Sequence, residues 1–409
     1  MFKVRQCFDR THILVDEIPN LVLSLLSQEK FAEKIKPGMR IAITAGSRGI
    51  ANIALIVKTI ADFVKFKGAY PFIVPAMGSH GGATAEGQME ILKSYGIVEE
   101  YVGCPIISSM EVTYVGKNDE GINVYIDKHA AEADGIIVSC RIKPHTAFRG
   151  PFESGIMKMM AIGLGKQYGA SVCHAAGFKY MAKNIPLFGR AILKHAPILF
   201  ALATLENAFD ETRKIIVVDT DEIEEVEPIL LKEAFSYMPR ILIDECDILI
   251  VDEIGKNFSG AGMDPNVTGT FATPYASGGI RSQRVCVLDL SAETHGNGVG
   301  IGYADVTTAR VLKKLDLAAM YPNVITTTVL KGANIPIVME SDREAIQLCI
   351  KACNEIDMNN IKIVRIPNSL NIEEIMLSEA YYAQAQQRKD LVVEGFPQYL
   401  PFDENGNLW

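Results

Sequence analysis

Short apolar runs alternate with longer amphipathic stretches along most of the chain. Residues 40–45 (RIAITA) predict a buried strand, and residues 50–67 set Ile53, Leu55, Ile56, Ile60, Phe63 and Val64 at helical spacing. Residues 70–76 predict a second strand, residues 85–95 a second helix, and residues 111–126 a hairpin turning at 117–121. Residues 135–140 predict another strand, followed by a loop with His145 and a glycine-rich passage to His174. The pattern restarts at Ile241. A strand within 241–253 leads into a glycine-rich loop, 255–269; strands follow over 284–290 and 361–366, and helices over 305–320, 341–356 and 372–388. Such alternation predicts an α/β fold with mainly parallel sheets, whose ligands sit beyond the carboxyl ends of the strands. The acidic stretch 219–227 and Pro228 precede the restart. The expected organisation is therefore two α/β domains, residues 1–238 and 239–409, with an active-site cleft between them. The last helix and tail pack either in the second domain or back on the first.

The length of 409 residues suits two to three domains. With 48% hydrophobic and 22% charged residues, the chain is neither disordered, fibrous nor a disulfide scaffold. A net charge of −9 argues against a broad basic surface for nucleic acid and leaves room for a local cationic pocket. No run approaches the ~20 apolar residues of a membrane span, and the N-terminus lacks a signal-peptide core. The cysteines are scattered without a CxxC pair, so the expectation is a reduced, cytoplasmic protein with no membrane partner.

A local echo marks candidate chemistry. Residues 45–50 read AGSRGI and residues 77–82 read MGSHGG, each between a predicted strand and a predicted helix. Glycine ordinarily serves such turns, yet Arg48 and His80 at equivalent places point to a shared pocket. The first turn suits an anion, with Arg48 adding bidentate hydrogen bonds. It is neither a Walker A loop nor GxGxxG, so no nucleotide type follows. His80, flanked by glycine, is open to proton transfer; the plainer reading is a capping loop with Thr84 as N-cap.

The densest segment is 141–177. Pro144 stiffens the strand exit and sets His145 on a loop. Lys158 lies among Met157, Met159 and Met160, a setting that favours nucleophilic or covalent use of its amine. His174 suits a metal through one neutral ring nitrogen. One histidine cannot hold a catalytic metal strongly, and no HxH, HExxH or CxxC pattern supplies partners, so a metal here needs ligands from elsewhere. The alternative is a basic, glycine-rich phosphate loop.

The series His80, Lys143-Pro144-His145, Ser154-Gly155-x-x-Lys158 and His174, at separations of 65, 13 and 16 residues, resembles the LarA-type lactate racemase family. The likeness is close over the first domain and looser over the second. That family uses a nickel-pincer nucleotide, the nickel complex of pyridinium-3,5-bisthiocarboxylic acid mononucleotide. The resemblance implies that Lys158 tethers this cofactor. It implies that His174 joins a ring carbon and two sulfurs in holding nickel, and that His80 and His145 form the acid/base pair. Ser47 and Arg48 would touch the cofactor; Arg48, and Lys256 in DEIGKNFSG, would hold the substrate carboxylate. The expected activity is an isomerase, a racemase or epimerase of small 2-hydroxy acids.

The chemistry agrees with those roles. The α-proton of a hydroxy acid is very weakly acidic, whereas hydride removal gives a planar keto acid that hydride can re-enter from the other face. Such a route needs a cofactor as hydride acceptor, two bases for the hydroxyl of the two enantiomers, and a cationic clamp. Departures from the family pattern lie at Thr44-Ala-Gly-Ser-Arg-Gly-Ile50, His80-Gly81 and Gly155-Ile-Met-Lys158, with an added Arg149 and Glu153. They leave a larger or more polar 2-hydroxy acid as open as lactate. Lys166 competes for the tether.

Two other functions stand beside this one. The first is a non-catalytic sensor that binds a phosphorylated or carboxylated metabolite through Arg48. The second is a dehydrogenase with a diffusible nicotinamide, which the lack of GxGxxG disfavours. His295, Asn257, Ser259, Asp264 and Asn266 are further candidate contacts, while His12, His129 and His195 read as structural or exposed.

Overall fold

The computed structural model describes residues 1–46 and 49–409, with only the backbone of Thr326. Contacts divide the chain into two compact units, Arg10–Met238 and Pro239–Trp409 together with Met1–Asp9.

In the first unit the strand Arg40–Ala45 buries every residue after Arg40, the continuous apolar pattern of a parallel strand covered on both faces. Its sheet runs Tyr70–Pro75, Arg40–Ala45, Gly135–Arg141, Ile198–Glu206, Thr212–Asp219. The first four strands are mutually parallel and the last is antiparallel. Helix Ile53–Phe66 makes the crossover between two of them and buries Ile56, Val57, Ile60, Phe63 and Val64 along one stripe. The strands Val112–Lys117 and Asn123–Asp127 form the expected hairpin as a separate sheet. Because the central strands are parallel, the segments after Ala45, Pro75 and Arg141 all leave from one edge of the sheet. The second and third of those segments carry residues 77–82 and 143–158.

The passage before His174 differs from expectation. It is helical rather than a loop: Ile156–Lys158, a π-helical turn Met159–Leu164, then Lys166–His174. Its glycines look like loop residues in sequence but serve close helix packing.

The second unit holds an eight-stranded sheet among the described residues. Ile337–Met339, Val306–Thr308, Arg281–Leu290, Glu245–Ile254 and Ile363–Ile366 are parallel; Glu374–Leu377, Phe2–Gln6 and Leu391–Glu394 continue it antiparallel. The grouping of residues 1–9 with the first domain is therefore corrected, since Phe2–Gln6 pairs on both sides with strands near the C-terminus. The expected helix over 372–388 is a strand, Glu374–Leu377, and a short helix, Tyr382–Gln387. The expected helix over 305–320 is the strand Val306–Thr308 and two helices, Ala309–Lys314 and Leu317–Thr327. Its β-branched start favours a strand, and Asp316 accepts the amides of Ala318 and Ala319 to begin the second helix. No helix among the described residues is long and apolar enough to cross a membrane.

Candidate active site

At the end of the strand Gly135–Arg141, the Arg141 guanidinium pairs with the Glu206 carboxylate on the adjacent strand. The other Glu206 oxygen accepts the Ala51 amide at 2.7 Å. A carboxylate of the chain itself thus takes one backbone N–H in the turn where an anion was expected. Ser47 and Arg48 lie outside the described residues. Gly46 before them packs tightly, since a Cβ there would stand 3.1 Å from Met159 Cε.

The His145 loop is closed by paired backbone hydrogen bonds between Lys143 and Ser154. Inside it, Glu153 is 1% exposed. Its carboxylate accepts the amides of His145 at 2.6 Å and Gly150 at 3.2 Å, and the Arg149 guanidinium at 3.2 Å. Arg149 also donates to the His145 carbonyl at 2.6 Å. Burial pushes the Glu153 carboxyl upward, and these donors oppose the shift. Both added charges are therefore tied into the loop that presents His145. The His145 ring stacks on Phe148 at 4.5 Å. Its Nδ1 accepts the Ala147 amide at 3.0 Å, so the neutral ring carries its proton on Nε2.

Gly155 starts the short helix that ends in Lys158. Above it lies Glu227, 1% exposed, from helix Ile223–Tyr237. Its carboxylate accepts the amides of Met157, at 3.0 Å, and Ile156. A Cβ on Gly155 would stand 2.2 Å from Glu227 Oε1, so glycine is what lets the carboxylate reach the helix start. Burial pushes the Glu227 carboxyl up to about 8 against these hydrogen bonds. Sequence reasoning missed Glu227. It occupies the buried stripe Ile223, Glu227, Leu230, Leu231, Ala234, and a carboxylate in such a stripe is itself the signal. Gly155→Ala is expected to destabilise the protein by about 2 kcal/mol through overpacking. Thermal denaturation checks this, and the loss should shrink in a Glu227→Ala background, where the clashing group is gone.

Lys158 is half-buried, with Nζ 3.5 Å from Ser154 Oγ. The π-helical turn that follows packs on the neighbouring strand end: a Cβ on Gly163 would lie 2.7 Å from Met159 Sδ and 2.8 Å from the Ala76 carbonyl. Gly78 donates to the Gly163 carbonyl at 3.2 Å, which joins the His80 loop to this turn. At the last turn of Lys166–His174, His174 Nδ1 donates to the Ala170 carbonyl at 2.7 Å. The neutral ring then has its lone pair on Nε2. Burial lowers the His174 pKa, as does the Lys158 charge, while the Ala170 bond opposes both. The ring is neutral at ordinary pH.

The structure thus brings Lys158 and His174 within electrostatic reach. It sets His145 and His174 against one ring, Phe178, at 6.4 and 5.9 Å. His80, exposed, stands at the adjacent strand end. Lys256 lies in the other unit, where its Nζ donates to the Gly260 carbonyl at 2.6 Å and its amide to Thr294 Oγ1 at 3.0 Å. In the same loop Asp264 caps helix Pro265–Thr268 through Asn266. His295 is exposed. Among the described residues no group of three or more His, Cys, Asp or Glu side chains converges as a metal site.

Among solved structures, the fold is similar to the lactate racemase apoprotein from Thermoanaerobacterium thermosaccharolyticum, with 15% identity and a TM-score of 0.55. The likeness covers 90% of this chain and 98% of that one, and at this identity it speaks for the fold. Among curated proteins no sequence matches. Residues 8–183 match the lactate racemase N-terminal domain. His80, His145, Lys158 and His174 all fall within that matched domain, so it is the first unit of the chain that is similar to the lactate racemase N-terminal domain.

Proposed function

We propose that the protein is a racemase or epimerase of 2-hydroxy acids that works by hydride removal and return, with a nickel-pincer nucleotide tethered to Lys158. The observation that carries this reading is His174: neutral, Nδ1–H turned to Ala170, lone pair on Nε2, and within reach of the Lys158 charge. One imidazole offers one bond to a metal, and no three-residue protein set converges among the described residues, so the donor set suits a metal that brings ligands of its own. The pincer nucleotide does so and supplies, when bound, the hydride acceptor and donor.

The remaining steps belong to the chain. Lys158 provides the amine for the tether, at the end of a helix whose start Glu227 holds. His80 and His145 move the hydroxyl proton, one acting on each enantiomer. In its present tautomer His145 offers Nε2–H, which suits donation to an alkoxide or a carbonyl oxygen. To accept a proton at Nε2 it must first shed that one. Arg48 holds the carboxylate, and Ser47 supports the cofactor. With Arg149 and Glu153 committed to the loop, neither is an argument for a larger or more polar substrate. The anion-sensor alternative has less support, because Glu206 already takes the Ala51 amide.

The test is intact-protein mass spectrometry with metal analysis on protein from a host that makes the cofactor. The expected result is nickel plus an adduct on Lys158, absent in Lys158→Ala, with interconversion of 2-hydroxy acid enantiomers by chiral chromatography. Neither nickel nor adduct after reconstitution would overturn the mechanism.

A further inference from the structure

Lys166 is fully buried, yet it adopts a left-handed backbone with φ 52°, a conformation that costs a non-glycine residue about 1 kcal/mol or more. Its ammonium donates to the Pro75 carbonyl at 2.6 Å and to Gln88 Oε1 at 3.1 Å, and pairs with Asp127 Oδ2 at 3.2 Å. Two of its N–H groups thus have hydrogen-bond acceptors, its charge is paired with Asp127, and the side chain is wholly shielded from solvent. This excludes the competing tether, which needs a reachable amine. Asp127, also buried, uses its other oxygen to cap the turn at Ala130. The pair therefore ties the hairpin to the end of the strand Tyr70–Pro75 and to helix Ala85–Ser94.

Gln88 carries the link onward. The ammonium can only donate, so it fixes which end of the buried amide is oxygen. The amide nitrogen then donates to the carbonyls of Gly78 at 3.0 Å and His80 at 3.2 Å. The loop has little slack on its other side. Thr84 accepts the Gly87 amide and donates to the Gly81 carbonyl, both at 3.0 Å, and a Cβ on Gly81 would stand 2.5 Å from the Gly87 carbonyl carbon.

We propose that Gln88, oriented by the buried Lys166–Asp127 pair, is a positioning residue that fixes the backbone from which His80 reaches the substrate. The claim rests on the reading of His80 as one of the two acid/base groups. Gln88 touches no substrate; it holds the His80 backbone through its carbonyl. A buried ion pair adds little net stability over apolar packing. A fixed amide direction is something apolar packing would not provide.

The test uses Gln88→Met, which removes both donors at nearly constant volume. In the full-length cofactor-free chain, amide hydrogen exchange over residues 77–84 should quicken by about tenfold or more, as expected for two lost hydrogen bonds. Exchange over residues 143–158 should stay as it is. In loaded enzyme kcat should fall about 10²-fold, the cost of a misplaced group, with KM and Lys158 occupancy unchanged. Should Gln88→Met fail to fold, Gln88→Glu keeps the acceptor for Lys166, cannot donate while ionised, and should show the same local quickening. Unchanged exchange over 77–84 in a folded variant, or failure of both variants to fold, would overturn the proposal. The exchange arm needs no cofactor, so it stands apart from the racemase reading. Faster exchange with unchanged kcat would keep the positioning and remove His80 from the chemistry.

Discussion

His145→Ala is expected to lower enantiomer interconversion by about 10³-fold, within the range that positioned acid/base groups contribute, while nickel and the Lys158 adduct remain. The separation follows from what holds each part of the loop. Glu153 and Arg149 bond the backbone N–H and C=O of residue 145, not its ring, so alanine removes the imidazole and leaves the loop closed. The ring that suits the metal is His174, oriented by Ala170 and independent of His145. His80→Ala should behave alike, because Gln88 holds its carbonyl whatever the side chain. His174→Ala should give the reverse, an adduct without nickel. Two mirror-image substrates have an equilibrium constant of one, so kcat/KM must fall equally in both directions. Metal analysis and chiral chromatography check all of this. Loss of nickel from His145→Ala would show that a ligand had been mistaken for a base.

The strand–turn–helix units were legible because a parallel strand buried on both faces is a continuous apolar run, as RIAITA and GIIVSC are. From that pattern alone the three candidate segments fall at strand ends. The shorter strands were not legible. Glu374–Leu377 spans four residues, too few for a two-residue period to be told from a helical one inside a longer apolar series. Phe2–Gln6 does alternate, but its partners lie near the other end of the chain, and no local signal encodes them. The π-helical turn was hidden because Gly163 and Gly165 lower helix propensity; its packing on Ala76 and Met159 is tertiary. Arg149 and Glu153 pair within a loop, where a spacing of four residues does not by itself separate an ion pair from substrate contacts.

Replacing Glu227 by glutamine should change how stability depends on pH. Burial pushes the native carboxyl up to about 8 from the 4.5 of an ordinary glutamate, so the folded chain keeps a proton that the unfolded chain sheds between those values. Stability from this group is fully present below about pH 4.5, declines as pH rises, and is gone above about 8. The full span is worth at most about 5 kcal/mol at 1.36 kcal/mol per unit. Cys140, the titratable neighbour that feels the Glu227 charge, is held well above its usual range and adds nothing inside this window. Glutamine cannot titrate, but its amide group presents a donor to the Ile156 or Met157 N–H and forfeits one bond, about 1 kcal/mol. Near pH 5 the wild type should therefore be the more stable protein, and near pH 8.5 the gap should close or reverse. Urea denaturation of both proteins across that range measures the difference, in which the other titrating groups cancel. Parallel stability curves would mean that Glu227 is ionised throughout, with its two backbone donors outweighing burial. The start of the Lys158 helix would then be held by a full negative charge.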